Sequence, residues 1–223
     1  MSKQDTPVYQ GKSGEALKRK EGIFSFHYFF YNYGRFHENC VNNVIHMIFV
    51  PVLLFSGMIA LYHVTTWRDE PLPENPLIKR FNYFDIYIFL LWIVFLYVEK
   101  VIALTFIAWS LSLMCAAHWM FENKDMFALE VAGTTYSLCY IATCVHIVGW
   151  LTQFYGHAIH EGRAPALITN LMFANFAFFF VTFEFLNNLF SYGEGPKLEE
   201  VRKFIHEDIE EYHNCKSAKT KVK

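Results

Sequence analysis

Five apolar runs alternate with short polar stretches along the chain. They cover about 43–62 (NVIHMIFVPVLLFSGMIALY), about 83–98 (YFDIYIFLLWIVFLYV), about 101–117 (VIALTFIAWSLSLMCAA), about 131–155 (VAGTTYSLCYIATCVHIVGWLTQFY) and about 165–190 (PALITNLMFANFAFFFVTFEFLNNLF). A bilayer core takes roughly 20 apolar residues per helix, with a working range of about 17–25. All five runs are near that length, and hydrocarbon forces such spanning backbone into helices. The pattern predicts an all-α fold, a polytopic membrane helical bundle of four to five apolar helices with short polar termini. Only Glu99 and Lys100 separate the second run from the third, and Pro51 lies inside the first. Either place can make one run re-entrant or interfacial, and four crossings are favoured.

The polar stretches divide the chain into three. Residues 1–22 read as a flexible polar N-terminus, 23–190 as the membrane domain and 191–223 as a polar C-terminal tail. At the start of the middle part, FSFHYFFYNYGRF (24–36) is aromatic and is expected at a membrane interface, where amphipathic rings settle. Segment 67–82 is charged and holds three prolines, so it belongs outside lipid. In the tail, LEEVRKFIHEDIEEY has apolar residues at 198, 201, 204, 205, 209 and 212. That is helical spacing, with a charged opposite face, and it predicts a solvated tail helix. Lys12, Lys18, Arg19 and Lys20 favour a cytosolic N-terminus. The final KTKVK resembles a dilysine retrieval signal of endoplasmic-reticulum membrane proteins, which is read from the cytosol. Two cytosolic ends require an even number of crossings. The first residues lack an apolar h-region, so no cleaved secretory signal is expected.

Composition sharpens this picture. The chain is 54% hydrophobic and only 18% charged, below the roughly 25% usual for soluble domains. A formal charge of −2 and the lack of a basic stripe exclude a nucleic-acid footprint. The five cysteines form no CxxC pair, so reduced, buried thiols are expected rather than a disulfide scaffold.

Polar side chains inside the apolar runs carry the chemistry. On a helix of about 100° per residue, with His146 at zero, Gln153 falls near about −20°, His157 about +20°, His160 about −40° and Glu161 about +60°. One polar stripe therefore runs down an otherwise apolar cylinder. His157 and Glu161 are one turn apart and can reach a common ion. Gly156 allows close backbone approach or a bend, and Pro165 suits the first turn of the next helix. A second cluster is HENCVNNVIH, residues 37–46. On one continuous helix His37 and His46 would oppose each other. They can cooperate only if His37 precedes the helix, with Asn42 or Asn43 as its N-cap.

His37, His46, His157 and Glu161 together make a candidate ligand set of imidazoles and a carboxylate. Histidine with carboxylate suits non-haem Fe(II) and its oxygen chemistry, and zinc accepts the same donors. A stripe that only mediates helix–helix hydrogen bonds is the competing structural explanation. No thiolate is placed for an iron–sulfur or zinc-finger site. GxSxG, GxGxxG, P-loop and HExxH patterns are absent. Arg163 offers a planar fork that matches a carboxylate, which makes it the candidate substrate-binding residue; an arginine snorkelling to lipid headgroups is the alternative.

These residues also resemble a family, the 2-hydroxy fatty acid dioxygenases of the endoplasmic reticulum. The first motif, H-x4-N-x2-I-H-x3-V-P, falls on His37, Asn42, Ile45, His46, Val50 and Pro51. The second, Q-F-x-G-H-x3-E-x-R-x-P-A-L-x2-N-L, falls on Gln153, Phe154, Gly156, His157, Glu161, Arg163, Pro165, Ala166, Leu167, Asn170 and Leu171. FEFL, Phe183 to Leu186, is similar too. His160 stands where members usually carry an aromatic, and Thr169 where an Asp is common. His160 is therefore not a ligand by family pattern.

The resemblance implies Fe(2+)-dependent α-oxidation at an endoplasmic-reticulum membrane, serving breakdown of sphingolipid long-chain bases. A long-chain 2-hydroxy fatty acid and O2 would give the acid one carbon shorter and CO2, with His157 and Glu161 at the catalytic centre. The substrate supplies all the electrons that O2 needs, so no reducing cofactor is implied, and the lipid bilayer is the remaining partner. Two other readings compete. A di-iron hydroxylase or desaturase needs closely spaced HxxxH and HxxHH clusters, whereas the ten histidines here are scattered. A non-enzymatic lipid-binding membrane protein needs no metal.

Overall fold

A computed structural model describes residues 12–66, 83–162 and 175–221. Segment 67–82, Arg163, Pro165 and Thr169 lie outside the described residues, as do residues 1–11 and the last two. Helices dominate: α1 (Lys12–Glu21), α2 (Phe26–Gly34), α3 (Cys40–Thr66), α4 (Tyr83–Val98), α5 (Lys100–Glu122), α6 (Leu138–Tyr155), α7 (Ala177–Phe190) and α8 (Pro196–Lys221). A short 3-10 turn (Lys124–Phe127) and a two-stranded hairpin follow α5, and a π turn (Gly156–Glu161) continues α6. The fold is all-α, as the apolar runs predict.

Among the described residues three stretches are long and apolar enough to cross a membrane, Cys40–Tyr62, Lys100–Glu122 and Leu138–Glu161, and two shorter apolar helices are Tyr83–Val98 and Ala177–Phe190. The fourth run starts later than expected. Residues 129–136 form antiparallel strands β1 (Leu129–Val131) and β2 (Thr134–Tyr136), with Val131 paired to Thr134. Between them Ala132 and Gly133 both take positive φ, 51° and 78°, as a two-residue type I′ turn demands. β-branched Val131, Thr134 and Thr135 flank that turn and favour strand over helix. The described cysteines Cys40, Cys115, Cys139 and Cys144 are free.

The chain forms two compact units, Met1–His46 with Phe154–Lys223, and Met47–Gln153. In the first unit residues 26–34 of the aromatic stretch form α2, and Tyr28, Phe29, Phe30, Tyr31 and Tyr33 are buried. Phe29 and Tyr31 have no exposed area. Ser25 caps α2, its Oγ accepting from the Tyr28 amide at 3.1 Å. From α2, Phe26, Phe29, Phe30 and Tyr33 follow the i, i+3, i+4, i+7 pattern of one helix face. On and just before α7, Phe176, Phe179, Phe180 and Phe183 repeat that spacing. The two stripes mesh: Phe29 stacks on Phe176 with centroids 4.1 Å apart, Tyr33 on Phe180 at 4.3 Å, and Phe30 meets Phe183 edge-on at 5.2 Å. Each such pair contributes about 0.5–1.5 kcal/mol beyond its buried area.

Two further expectations change here. Residues 12–21 of the lead are helical, with Glu21 bonded to His27 at 2.9 Å and Lys197 at 3.0 Å. The tail helix α8 is more than a solvated appendage. Its stripe, Leu198, Val201, Ile205 and Ile209, is buried, and Asp208 pairs with Arg35 at 3.5 Å. The apolar spacing located that stripe; its partner helices came from elsewhere in the chain.

In the second unit, α4 and α5 form an antiparallel hairpin. Glu99 alone joins them, and its side chain caps α5 through the Ile102 amide at 2.8 Å. Phe95 meets Phe106, Trp92 donates to Ser110 Oγ, and Asp85 lies beside His118, so early α4 faces late α5. On α4, Asp85, Ile88, Leu91 and Phe95 point inward, while Ile86, Leu90, Ile93 and Tyr97 point outward. An outward apolar stripe suits lipid as solvent. Helix α6 runs back along α3, with Gly149 against Leu53 and His146 against Ser56.

Candidate metal centre

His37, Asn42 and His46 of the first motif meet Gly156, His157 and Glu161 of the second in the first unit. His37 precedes α3, as required for it to reach His46. The N-cap is Asn39 rather than Asn42 or Asn43: its Oδ1 accepts from the Val41 amide at 2.9 Å and its carbonyl from the Asn43 amide at 3.0 Å. Asn42 and Asn43 lie inside the helix, and His46 follows on its buried side.

His37, His46 and His157 converge, with one ring nitrogen from each within 4.8 Å of the others. Their rings are mutually edge-on, with centroids 4.5 to 5.0 Å apart. Two backbone carbonyls decide the tautomers. His37 Nδ1 lies 2.9 Å from the Tyr33 carbonyl and His46 Nδ1 2.9 Å from the Asn42 carbonyl. A carbonyl only accepts, so each Nδ1 carries the proton and each Nε2 presents a lone pair. Those two Nε2 atoms face each other at 3.2 Å. Two lone pairs at that separation repel unless a cation lies between or beside them. His157 is buried, and its Nδ1 has no hydrogen-bond partner among the described residues. Metal-binding histidines usually donate their other ring N–H to a carbonyl or carboxylate in this way. The donor set therefore fits a divalent ion.

Enclosure by protein, with His46 and His157 alongside, holds His37 well below the usual histidine range. It is neutral near pH 7, the state a ligand needs. Tyr33 stacks on His37 at 3.8 Å and 8°, so a continuous sandwich of Phe180, Tyr33 and His37 fixes the ring plane.

Glu161 stands outside this trio. Its Oε1 accepts from the Asn39 amide at 2.9 Å and from Asn42 Nδ2 at 3.1 Å. It ties the π turn to the N-terminus of α3, where a carboxylate is favoured by the helix dipole. Gly156 is the other tie: a Cβ there would lie 2.3 Å from Asn42 Oδ1. The close-approach role expected of that glycine is thus what the packing uses.

The polar stripe does not act as one unit. A π turn makes i→i+5 bonds and winds less per residue than the α-helix assumed for the wheel, so angles past residue 155 change. His160 turns toward Tyr155, 5.5 Å between centroids, and is not one of the three converging histidines. His146 belongs to the second unit, where Nδ1 meets Ser56 Oγ at 3.1 Å and Nε2 accepts from Trp150 at 3.0 Å. Nδ1 thus joins α6 to α3, while Nε2 is engaged within α6 itself. Arg163 lies outside the described residues. Two contributors were missed in the sequence, Tyr33 and Asn39; the helical spacing of Tyr33 and His37 was the available signal for the first.

The family described as 2-hydroxy-palmitic acid dioxygenase Mpo1-like matches residues 23–189. The 2-hydroxy-palmitic acid dioxygenase MPO1 of Saccharomyces cerevisiae (strain ATCC 204508 / S288c) is 28% identical over 179 residues, covering 80% of this chain and 86% of the yeast protein. No solved structure matches the chain. The matched stretch contains both histidine motifs and the aromatic helices that hold them, and on that ground the chain belongs to the Mpo1-like family.

Proposed function

We propose that the chain is an Fe(II)-dependent dioxygenase of fatty acid α-oxidation in the endoplasmic-reticulum membrane. It would convert a long-chain 2-hydroxy fatty acid and O2 into the acid one carbon shorter, CO2 and water. The balance closes without a reductant: RCH(OH)COOH + O2 → RCOOH + CO2 + H2O, the substrate giving up all four electrons. The carrying observation is the pair of facing Nε2 lone pairs on His37 and His46 beside buried His157.

His37, His46 and His157 would hold the ion. When bound, iron would take the hydroxyl and carboxylate of the α-hydroxy acid and exchange electrons with O2. The chain's own part is preorganisation. Tyr33 and Asn42 carbonyls hold two imidazoles neutral and aimed, and the Phe180–Tyr33–His37 stack prevents ring rotation. Glu161 locks the two motifs together through Asn39 and Asn42. Arg163, two residues past Glu161, is assigned to the substrate carboxylate on its fork geometry. Burial of His46 and His157 limits access of bulk water, and apolar helices give the alkyl chain a solvent of its own.

The test is product analysis. Chain purified without oxygen, reloaded with Fe(II) and given 2-hydroxypalmitate and O2 should release the shortened acid and CO2 with no added reductant. Iron-loaded protein that yields no shortened acid would sink the reading. A requirement for external electrons would favour hydroxylase or desaturase chemistry, and failure to bind metal would favour a non-enzymatic lipid-binding role.

A further inference from the structure

A second set of ligand-type side chains converges inside the other unit, away from both family motifs. Tyr62 comes from the end of the apolar stretch of α3, Asp85 from the first turn of α4 and His118 from the last turns of α5. Tyr62 Oη lies 3.1 and 3.2 Å from the two Asp85 oxygens. His118 Nε2 lies 3.3 Å from Asp85 Oδ2 and also meets Tyr62 Oη. One phenol oxygen, one carboxylate oxygen and one imidazole nitrogen thus share a single small volume. Asp85 has no exposed area, while the His118 side chain is 25% exposed.

A carboxylate buried among apolar helices is costly and generally has a partner and a task. Donors to an ion bonded at about 2.0–2.2 Å stand roughly 3 Å apart, the spacing of Asp85 to Tyr62 and to His118. Three helices bring these donors together, so the geometry is held by tertiary packing rather than by one flexible loop. The part-exposed imidazole gives an ion a way in, and the buried carboxylate gives it an anchor.

We infer that Tyr62, Asp85 and His118 form a second metal site, separate from the three histidines, for a transition-metal ion that accepts phenolate, carboxylate and imidazole. Two anionic oxygens and one nitrogen suit a harder, highly charged ion, ferric iron above all. Binding displaces the Tyr62 proton to solvent, since a phenol ligates as its anion. The ion's charge then offsets both the carboxylate and the phenolate. This inference does not depend on the activity proposed above.

Full-length chain loaded with Fe(III) citrate, then freed of unbound iron, gives the test. Wild type should hold one metal equivalent beyond that of the three-histidine centre and show a visible phenolate-to-iron charge-transfer band. Tyr62→Phe, which keeps the ring's packing, should abolish the band. Asp85→Asn should lose the extra equivalent. His37→Ala should remove iron and turnover at the first centre while the band persists, which separates failure of one site from failure of the other. Folded wild type with no band and no extra equivalent would overturn the inference, leaving a hydrogen-bonded knot. A band that survives in Tyr62→Phe would overturn it equally. If Asp85→Asn does not fold, wild type and Tyr62→Phe decide.

Discussion

His37 and His46 each commit Nδ1–H to a carbonyl, and that leaves their Nε2 lone pairs face to face. The same logic makes Glu161 testable. As a tie between motifs it needs an acceptor oxygen, which glutamine retains; as a ligand it needs a negative charge, which glutamine lacks. Glu161→Gln is therefore expected to keep metal content near wild type by elemental analysis. Glu161→Ala should lose it in part and destabilise the fold by about 0.5–2 kcal/mol, the range for losing a helix-terminal acceptor. Metal loss in the Gln variant would instead make Glu161 a ligand. Gly156→Ala forces a methyl onto Asn42 Oδ1. Overpacking of this kind costs about 1–3 kcal/mol, so thermal unfolding should drop and iron affinity with it. His160→Phe should leave turnover largely intact, because His160 faces Tyr155, whereas His157→Ala should abolish it.

At the scale of elements, α2 is held on three sides: by α7 through the aromatic stripes, by α8 through Arg35 and Asp208, and by α1. Phe180→Ala removes the ring beneath Tyr33. Phe→Ala in a core costs about 3–5 kcal/mol, and the loosened stack should also raise the Fe(II) dissociation constant, measurable by titration under anaerobic conditions. The link of α1 is electrostatic as well. Burial works against the Glu21 carboxylate, but Lys197 and His27 outweigh it and hold Glu21 below the usual glutamate range. A depressed carboxyl contributes stability above its unfolded pKa of about 4.3, and that contribution fades as pH falls through the lower folded value. Hydrogen exchange of α1 amides should therefore quicken, beyond its intrinsic pH trend, below about pH 4.3 and should do so at every pH in Glu21→Gln. An unchanged pattern in that variant would remove the ion pairs from the account.

For the whole molecule, the apolar outward faces and the three long stretches fit a bilayer, while the number of crossings rests on two shorter helices. Cytosolic placement of both ends predicts that tags at the two termini are digested equally by protease added outside sealed microsomes. Protection of one tag alone would exclude an even number of crossings. Removal of metal by a chelator should leave helix content unchanged by circular dichroism, because aromatic packing rather than the ion joins α2 to α7.

The order of residues alone determined the all-α class, the apolar helices and the amphipathic stripe of α8, because those follow from local periodicity of 3.6 and from the length that lipid demands. It also singled out His37, His46 and His157, since family motifs are read in one dimension. It could not separate hairpin from helix at 131–136, where a short apolar run satisfies both patterns until Ala132 and Gly133 take positive φ. It could not show that α8 and the aromatic stretch share one core, nor that Tyr62, Asp85 and His118 meet. Those pairings join residues tens of positions apart, and no local spacing encodes them. Glu161 illustrates the boundary best: its type and place in the motif allow metal binding or capping, and tertiary structure puts its Oε1 on Asn39 and Asn42 because α3 happens to begin where the π turn ends.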